Sequence, residues 1–152
     1  MDDAGRQLES FIDKFTPEVA ALARDLLARM KARIPGATIL VYDNYNALAI
    51  GFGRGDKAGE AILSLAVMPR WVTLCFLWGA QLSDPHKLLK GDGSRVRNVR
   101  LHEAEAFDDP RIQALIDETL ATTDWPIESD KRQTLIIKSI SAKQRPRRPK
   151  GV

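Results

Sequence analysis

A single cysteine, Cys75, stands in 152 residues, so no internal disulfide can form. It lies within the apolar run 72–77, where a thiol reads as a small buried hydrophobe. Histidine is almost as scarce. His86 and His102 have no second ligand at helical spacing except Glu105 beside His102, which is too little for a metal centre. No serine sits in a nucleophile-elbow context, so covalent catalysis has no support, and no cofactor motif is present. No apolar run approaches the roughly 18–20 residues that span a bilayer. The first residues, Met1-Asp2-Asp3, show neither a basic region nor an apolar one, so a cytoplasmic location is the expectation. The last shortage is local: residues 131–152 contain no Asp or Glu.

That same stretch contains eight Lys or Arg side chains. The whole chain is only +3, so residues 1–130, with 15 basic against 20 acidic side chains, sum to −5. A cationic end on a mildly acidic body points to an anionic partner, because clustered cations gain from counterion release at phosphates. Beyond Ser141 the composition is Lys, Arg, Pro, Gln and Gly, which predicts a flexible basic tail over 141–152. Its candidate polyanion contacts are Lys143, Arg145, Arg147, Arg148 and Lys150. The tail has no aromatic side chain to stack on bases, which argues against sequence-specific nucleic-acid reading.

The remainder reads as one α+β domain over 1–128, with 129–140 as a further strand or short helix docked on it. A first helix is expected over 4–14, with Leu8, Phe11, Ile12 and Phe15 at helical spacing. A second opens at Thr16-Pro17 and carries Val19, Leu22, Leu26, Met30 and Ile34 on one stripe, until Pro35-Gly36 stops it. From 38 to 78 the apolar period changes to two. In 47–52, Leu48, Ile50 and Phe52 point one way, and Ala47, Ala49 and Gly51 point the other. That face of tiny side chains suits a closely packed helix. The strand over 71–78 is apolar nearly throughout, so both its faces are expected to be covered, with Trp71 and Trp78 packed in the core. A helical turn over 86–90, a strand over 96–102 and a helix opened by Asp109-Pro110 follow. The sum is a two-layer sandwich: an antiparallel sheet of about five to six strands with helices on one face.

Two constellations carry chemical interest. Gly91 and Gly93 expose backbone N–H groups, Ser94 adds a hydroxyl, and Lys90, Arg95 and Arg97 add charge. Such a grouping can cradle a phosphate or carboxylate. It is not a Walker loop, since the Gly-x-x-x-x-Gly-Lys-Ser/Thr spacing is absent; a solvated surface turn is the other reading. Arg97 shares a strand face with Val99 and Leu101, so it must pair with a carboxylate inside or turn toward a pocket. The segment Tyr42-Asp43-Asn44-Tyr45-Asn46 could flank such a pocket with Tyr42, Asp43 and Tyr45, or serve as an ordinary turn.

Several segments together carry a likeness. They are Phe15-Thr16-Pro17-Glu18-Val19, Tyr42-Asp43-Asn44-Tyr45-Asn46 with Ile50-Gly51-Phe52, Pro69-Arg70-Trp71-Val72, Leu88-Leu89-Lys90-Gly91-Asp92-Gly93 and Val96-Arg97-Asn98-Val99-Arg100-Leu101. Over about residues 8–125 the chain resembles the YdhG-like bacterial domain family, whose function is unknown. The resemblance implies a compact α+β sandwich comparable in outline to frataxin. One branch is described as a frataxin-like iron chaperone, so iron handling enters as an alternative. Hard cations want a dense carboxylate ridge, whereas the second helix mixes Glu18 and Asp25 with Arg24, Arg29, Lys31 and Arg33. The sequence thus points to a small domain that binds an anionic small molecule, an acidic partner or nucleic acid. An enzyme of unstated reaction stays open as a further alternative.

Overall fold

The computed structural model describes residues 2–151; Met1 and Val152, which end the stretches read as domain and tail, lie outside them. Helix α1 spans Asp3–Ile12 and α2 spans Pro17–Arg33. Each starts on a side-chain cap. The Asp2 carboxylate accepts the Gly5 N–H at 2.8 Å, and the Thr16 hydroxyl accepts the Val19 N–H at 3.3 Å. Pro17 occupies the first turn, where its missing donor costs nothing.

Five strands then form a meander: β1 (Thr38–Asp43), β2 (Leu48–Gly53), β3 (Ala61–Val67), β4 (Val72–Phe76) and β5 (Arg97–Leu101). Each pairs antiparallel with the next; the connections among β1 to β4 are short, as such pairing allows, while β4 reaches β5 through the long segment 77–96. Helix α3 (Pro110–Thr122), capped by Asp109, leads to β6 (Thr134–Ile140). The sheet order is β5-β4-β3-β2-β1-β6. Among the described residues no helix is long and apolar enough to cross a membrane.

The two sheet faces differ by alternation alone. Ile39, Phe52, Leu63 and Phe76 form one cross-strand row, and Val41, Ile50, Leu65, Leu74 and Val99 the next. These rows point inward and join Phe11, Ile12, Leu26, Met30, Ile112 and Ile116 in one core. This is the expected α+β sandwich with helices on one face. The small-residue rows, Gly51–Ser64–Cys75 and Ala49–Ala66–Thr73, lie on the other face. Among the described residues no helix packs there, contrary to the expectation for that face, because α1, α2 and α3 are drawn to the apolar rows. For the same reason β4 is covered on one side only: Val72, Leu74 and Phe76 are buried, while Thr73 and Cys75 are half-buried.

Strand β6 is parallel to β1, a pairing that local turn logic cannot foresee. The chain leaves the β5 edge, crosses the helical layer as α3, and returns at the opposite edge. Two contacts guide the return. The Gln133 side-chain amide donates to the carbonyls of Lys31 and Ile34 at the end of α2, where helix carbonyls lack partners. Glu128 also passes so close to Gly36 that a Cβ there would lie 1.6 Å from its carbonyl oxygen.

Other expectations need correction. Residues 86–90 form no helical turn, because the Asp84 carboxylate takes the Leu88 and Leu89 N–H groups at 2.9 and 3.0 Å. The basic end is docked rather than loose. Beyond β6, Ser141 donates its N–H to the Asp43 carbonyl, and Arg145 donates its N–H to the Tyr45 carbonyl. The Gln144 amide also donates to the Asp43 carbonyl at 3.0 Å. Arg147 is 6% exposed, and its guanidinium donates to Asp43 Oδ1 at 2.8 Å and to the Asn44 carbonyl at 2.5 Å. Composition suggested mobility because it cannot register a buried carboxylate far back in the chain.

Candidate anion-binding site

The residues singled out from sequence separate into two groups. Lys90, Gly91, Gly93, Ser94, Arg95 and Arg97 lie at the β5 edge, while Tyr42, Asp43 and Tyr45 lie on or beside β1. Four strand spacings, about 19 Å, separate the two edges of that meander, so the β1 residues do not flank the loop.

Asp43 has a structural task. It is fully buried, with Lys14 Nζ at 2.7 Å from Oδ2 and Arg147 on Oδ1. Burial alone would raise its pKa, but the hydrogen bonds from Lys14, Gln144 and Arg147 outweigh it and hold the carboxyl below its usual range. It is therefore ionised and fully engaged, which leaves it neither a free base nor a ligand. Arg147, expected among the polyanion contacts, is consumed by the same pair. Lys143, Arg145, Arg148 and Lys150 remain exposed, although Arg148 also donates to the Lys14 carbonyl. Tyr45 is 52% exposed, and burial pushes the Tyr42 phenol up.

At the β5 edge the loop is closed by a two-way backbone pair between Lys90 and Asn98 (2.8 and 2.9 Å). Gly91 turns the chain at φ +116°, a conformation that other residues rarely adopt. Arg97 meets no carboxylate among the described residues and bonds to its own loop instead. Its Nη1 donates to the carbonyls of Gly93 (2.6 Å) and Val96 (2.8 Å), tying the loop together. The loop thus directs two carbonyls at a cation, which is a different use from an amide cradle for an anion. Arg95 lies 3.9 Å over the Trp78 ring. Gly91, Gly93 and Ser94 are exposed.

The outer face of the same edge holds a grouping that the sequence reading passed over. Asn98 pairs with Cys75, and Arg100 pairs with Thr73, so both project from the face opposite Arg97. Lys90, bridged to Asn98, joins them on that side. Arg100 lies flat on Trp71 at 3.9 Å, which orients its guanidinium without neutralising it. The Trp71 indole N–H donates to the Thr73 hydroxyl at 3.1 Å, leaving that hydroxyl's own proton for another acceptor. Trp71 is half-buried on this outer side, with His102 6.3 Å from its ring, rather than packed in the core. Period-two alternation was the available signal, since Asn98 and Arg100 must share a face.

Two cations, an amide and a hydroxyl on one patch can bind an oxyanion by charge-assisted hydrogen bonds. Cys75 offers no alternative chemistry, since burial pushes its thiol up and keeps it protonated. Among the described residues, no three or more His, Cys, Asp or Glu side chains gather as a metal ion would need. No family model matches the chain, and no curated protein or solved structure matches it.

Proposed function

We propose that this chain is a binding domain for an anionic ligand or the anionic stretch of a partner. The anion is taken on the outer face of β4 and β5 by Lys90, Asn98, Arg100 and the Thr73 hydroxyl. The observation that carries the reading is a contrast in pairing. Every arginine on α1, α2 and α3 has a carboxylate partner, whereas Arg95, Arg97 and Arg100 have none among the described residues. A cation left without an internal partner, beside open amide and hydroxyl groups, keeps its interaction energy for something external.

Membership of the YdhG-like family belongs to the same proposal. It rests on the motifs through which the chain resembles that family, and it is compatible with a small domain that binds rather than catalyses. The test is calorimetric titration with tripolyphosphate as the probe. Arg100→Ala and Lys90→Ala should each weaken binding about tenfold, the scale of one lost charge-assisted contact. Unchanged affinity in both variants would overturn the assignment.

A further inference from the structure

The sheet has a second exposed edge, and its chemistry selects a different partner. Strand β6 ends the sheet, and on the side away from β1 no strand pairs with it among the described residues. An edge of this kind presents a row of backbone donors and acceptors to any extended chain that approaches. The seven residues of β6 (Thr134–Ile140) offer about 23 Å of ladder. Thr134, Lys138, Ser139 and Ile140 are exposed, with Ile140 at 54%. No proline interrupts this strand, and its one irregularity is a bulge at Lys138, which leaves Thr134–Ile137 as the regular stretch.

Charge decides which chain fits. Lys131 and Arg132 precede the strand, Lys138 lies within it, and Lys143 and Arg145 follow, with no acidic residue from 131 to 152. Among the described residues, Lys131 and Lys138 give their ammonium groups only to the backbone carbonyls of Arg54 and Asp56. Arg132, Lys143 and Arg145 have no carboxylate partner among the described residues. Beside the strand's first residues a groove of about 330 Å³ opens against Lys31, Arg132 and Gln133. The one carboxylate on its rim, Asp2, is engaged in capping α1. A second copy of this chain laid antiparallel on β6 would bring the cations at each end against those of the other copy, which is unfavourable.

We propose that β6 is a docking edge for an extended acidic peptide, which adds a strand to the sheet and sets its carboxylates against these cations. Main-chain hydrogen bonds would supply affinity and the flanking charges selectivity. This surface is about 24 Å, five strand spacings, from the anion patch on β5, so the two assignments stand or fall separately.

The test uses the full chain and a fluorescent peptide alternating Glu with Val, read by anisotropy and by amide chemical shifts. Saturable binding should shift the Thr134–Ile140 amides. N-methylation of alternate peptide amides should weaken binding about tenfold or more, since it removes ladder donors without altering peptide charge. The exposed-site substitutions Arg132→Glu and Lys143→Glu together should weaken it comparably, with circular dichroism confirming the fold. Arg100→Ala should leave peptide binding unchanged. Binding indifferent to N-methylation would overturn strand addition. Binding lost in Arg100→Ala but retained in Arg132→Glu/Lys143→Glu, or a concentration-dependent dimer that occupies β6, would overturn the assignment of this edge.

Discussion

On the helices, Arg6, Arg24, Arg29, Arg33 and Arg111 each meet a carboxylate; along 90–100, Lys90, Arg95, Arg97 and Arg100 meet none among the described residues. Arg24 reaches Glu9 and Asp13, Arg29 reaches Asp25 and Asp108, and Arg33 reaches Asp117. The helical layer therefore neutralises itself, and several of its pairs also join one element to another. At the β5 edge, indole rings and backbone carbonyls position the cations instead, leaving their charge intact. Two regions of one small domain thus spend the same side chain differently. The difference shows why a net charge of +3 is by itself a poor guide to where an anion would bind.

The comparison can be tested from its strongest contact downward. Within the Asp43–Lys14–Arg147 cluster, Asp43 and Arg147 form the one ion pair among the described residues with both side chains buried, while Lys14 is partly exposed. Asp43→Ala should cost about 3–5 kcal/mol in chemical denaturation, because Arg147 is left buried without an anion. The pH dependence follows from the same group. Its folded pKa lies below the unfolded value of about 3.9. The stabilisation is therefore complete above that pH and is lost as pH falls through the folded pKa. Asp43→Asn should flatten this acid limb of the stability profile; an unchanged limb would assign it to other carboxylates.

Gly79→Ala should come next. A Cβ there would lie 2.6 Å from Arg97 Cβ and 3.0 Å from Phe76 Cβ. A loss of about 1–3 kcal/mol in thermal unfolding is expected, the usual range for overpacking. Arg100→Ala should change stability by no more than about 0.5 kcal/mol while lowering tripolyphosphate affinity about tenfold. A stability loss without an affinity loss would erase the distinction between the two regions. Smallest of all, Arg24→Ala should cost no more than about 1 kcal/mol, since solvent screens its half-exposed pairs. It should leave tripolyphosphate binding untouched in the same calorimetric assay.

Much of the architecture was readable residue by residue. Thr16-Pro17 and Asp109-Pro110 mark helix starts because a cap oxygen followed by proline satisfies local backbone geometry. The alternation of Leu48, Ile50 and Phe52 against Ala49 and Gly51 separated the two faces of β2 correctly. The visitor expected on the small-residue face was wrong, since alternation tells which residues share a face but not what covers it. The candidate site was half legible. Lys90 and the 90–97 loop were identified, but attention to glycine and Arg97 missed Asn98 and Arg100 on the opposite side of the same strand.

Local chemistry in the chain determined the caps, the turns, the strand period and the excess of cations in its last 22 residues. Each of these depends on neighbours a few positions away. Only the tertiary structure decided that β6 runs parallel to β1, that Arg147 is paired with a carboxylate 104 residues earlier, and which cations keep their charge for a partner. The physical reason is common to all three: ion pairing and edge pairing depend on distance in space, which the order of residues leaves unstated until the core has closed.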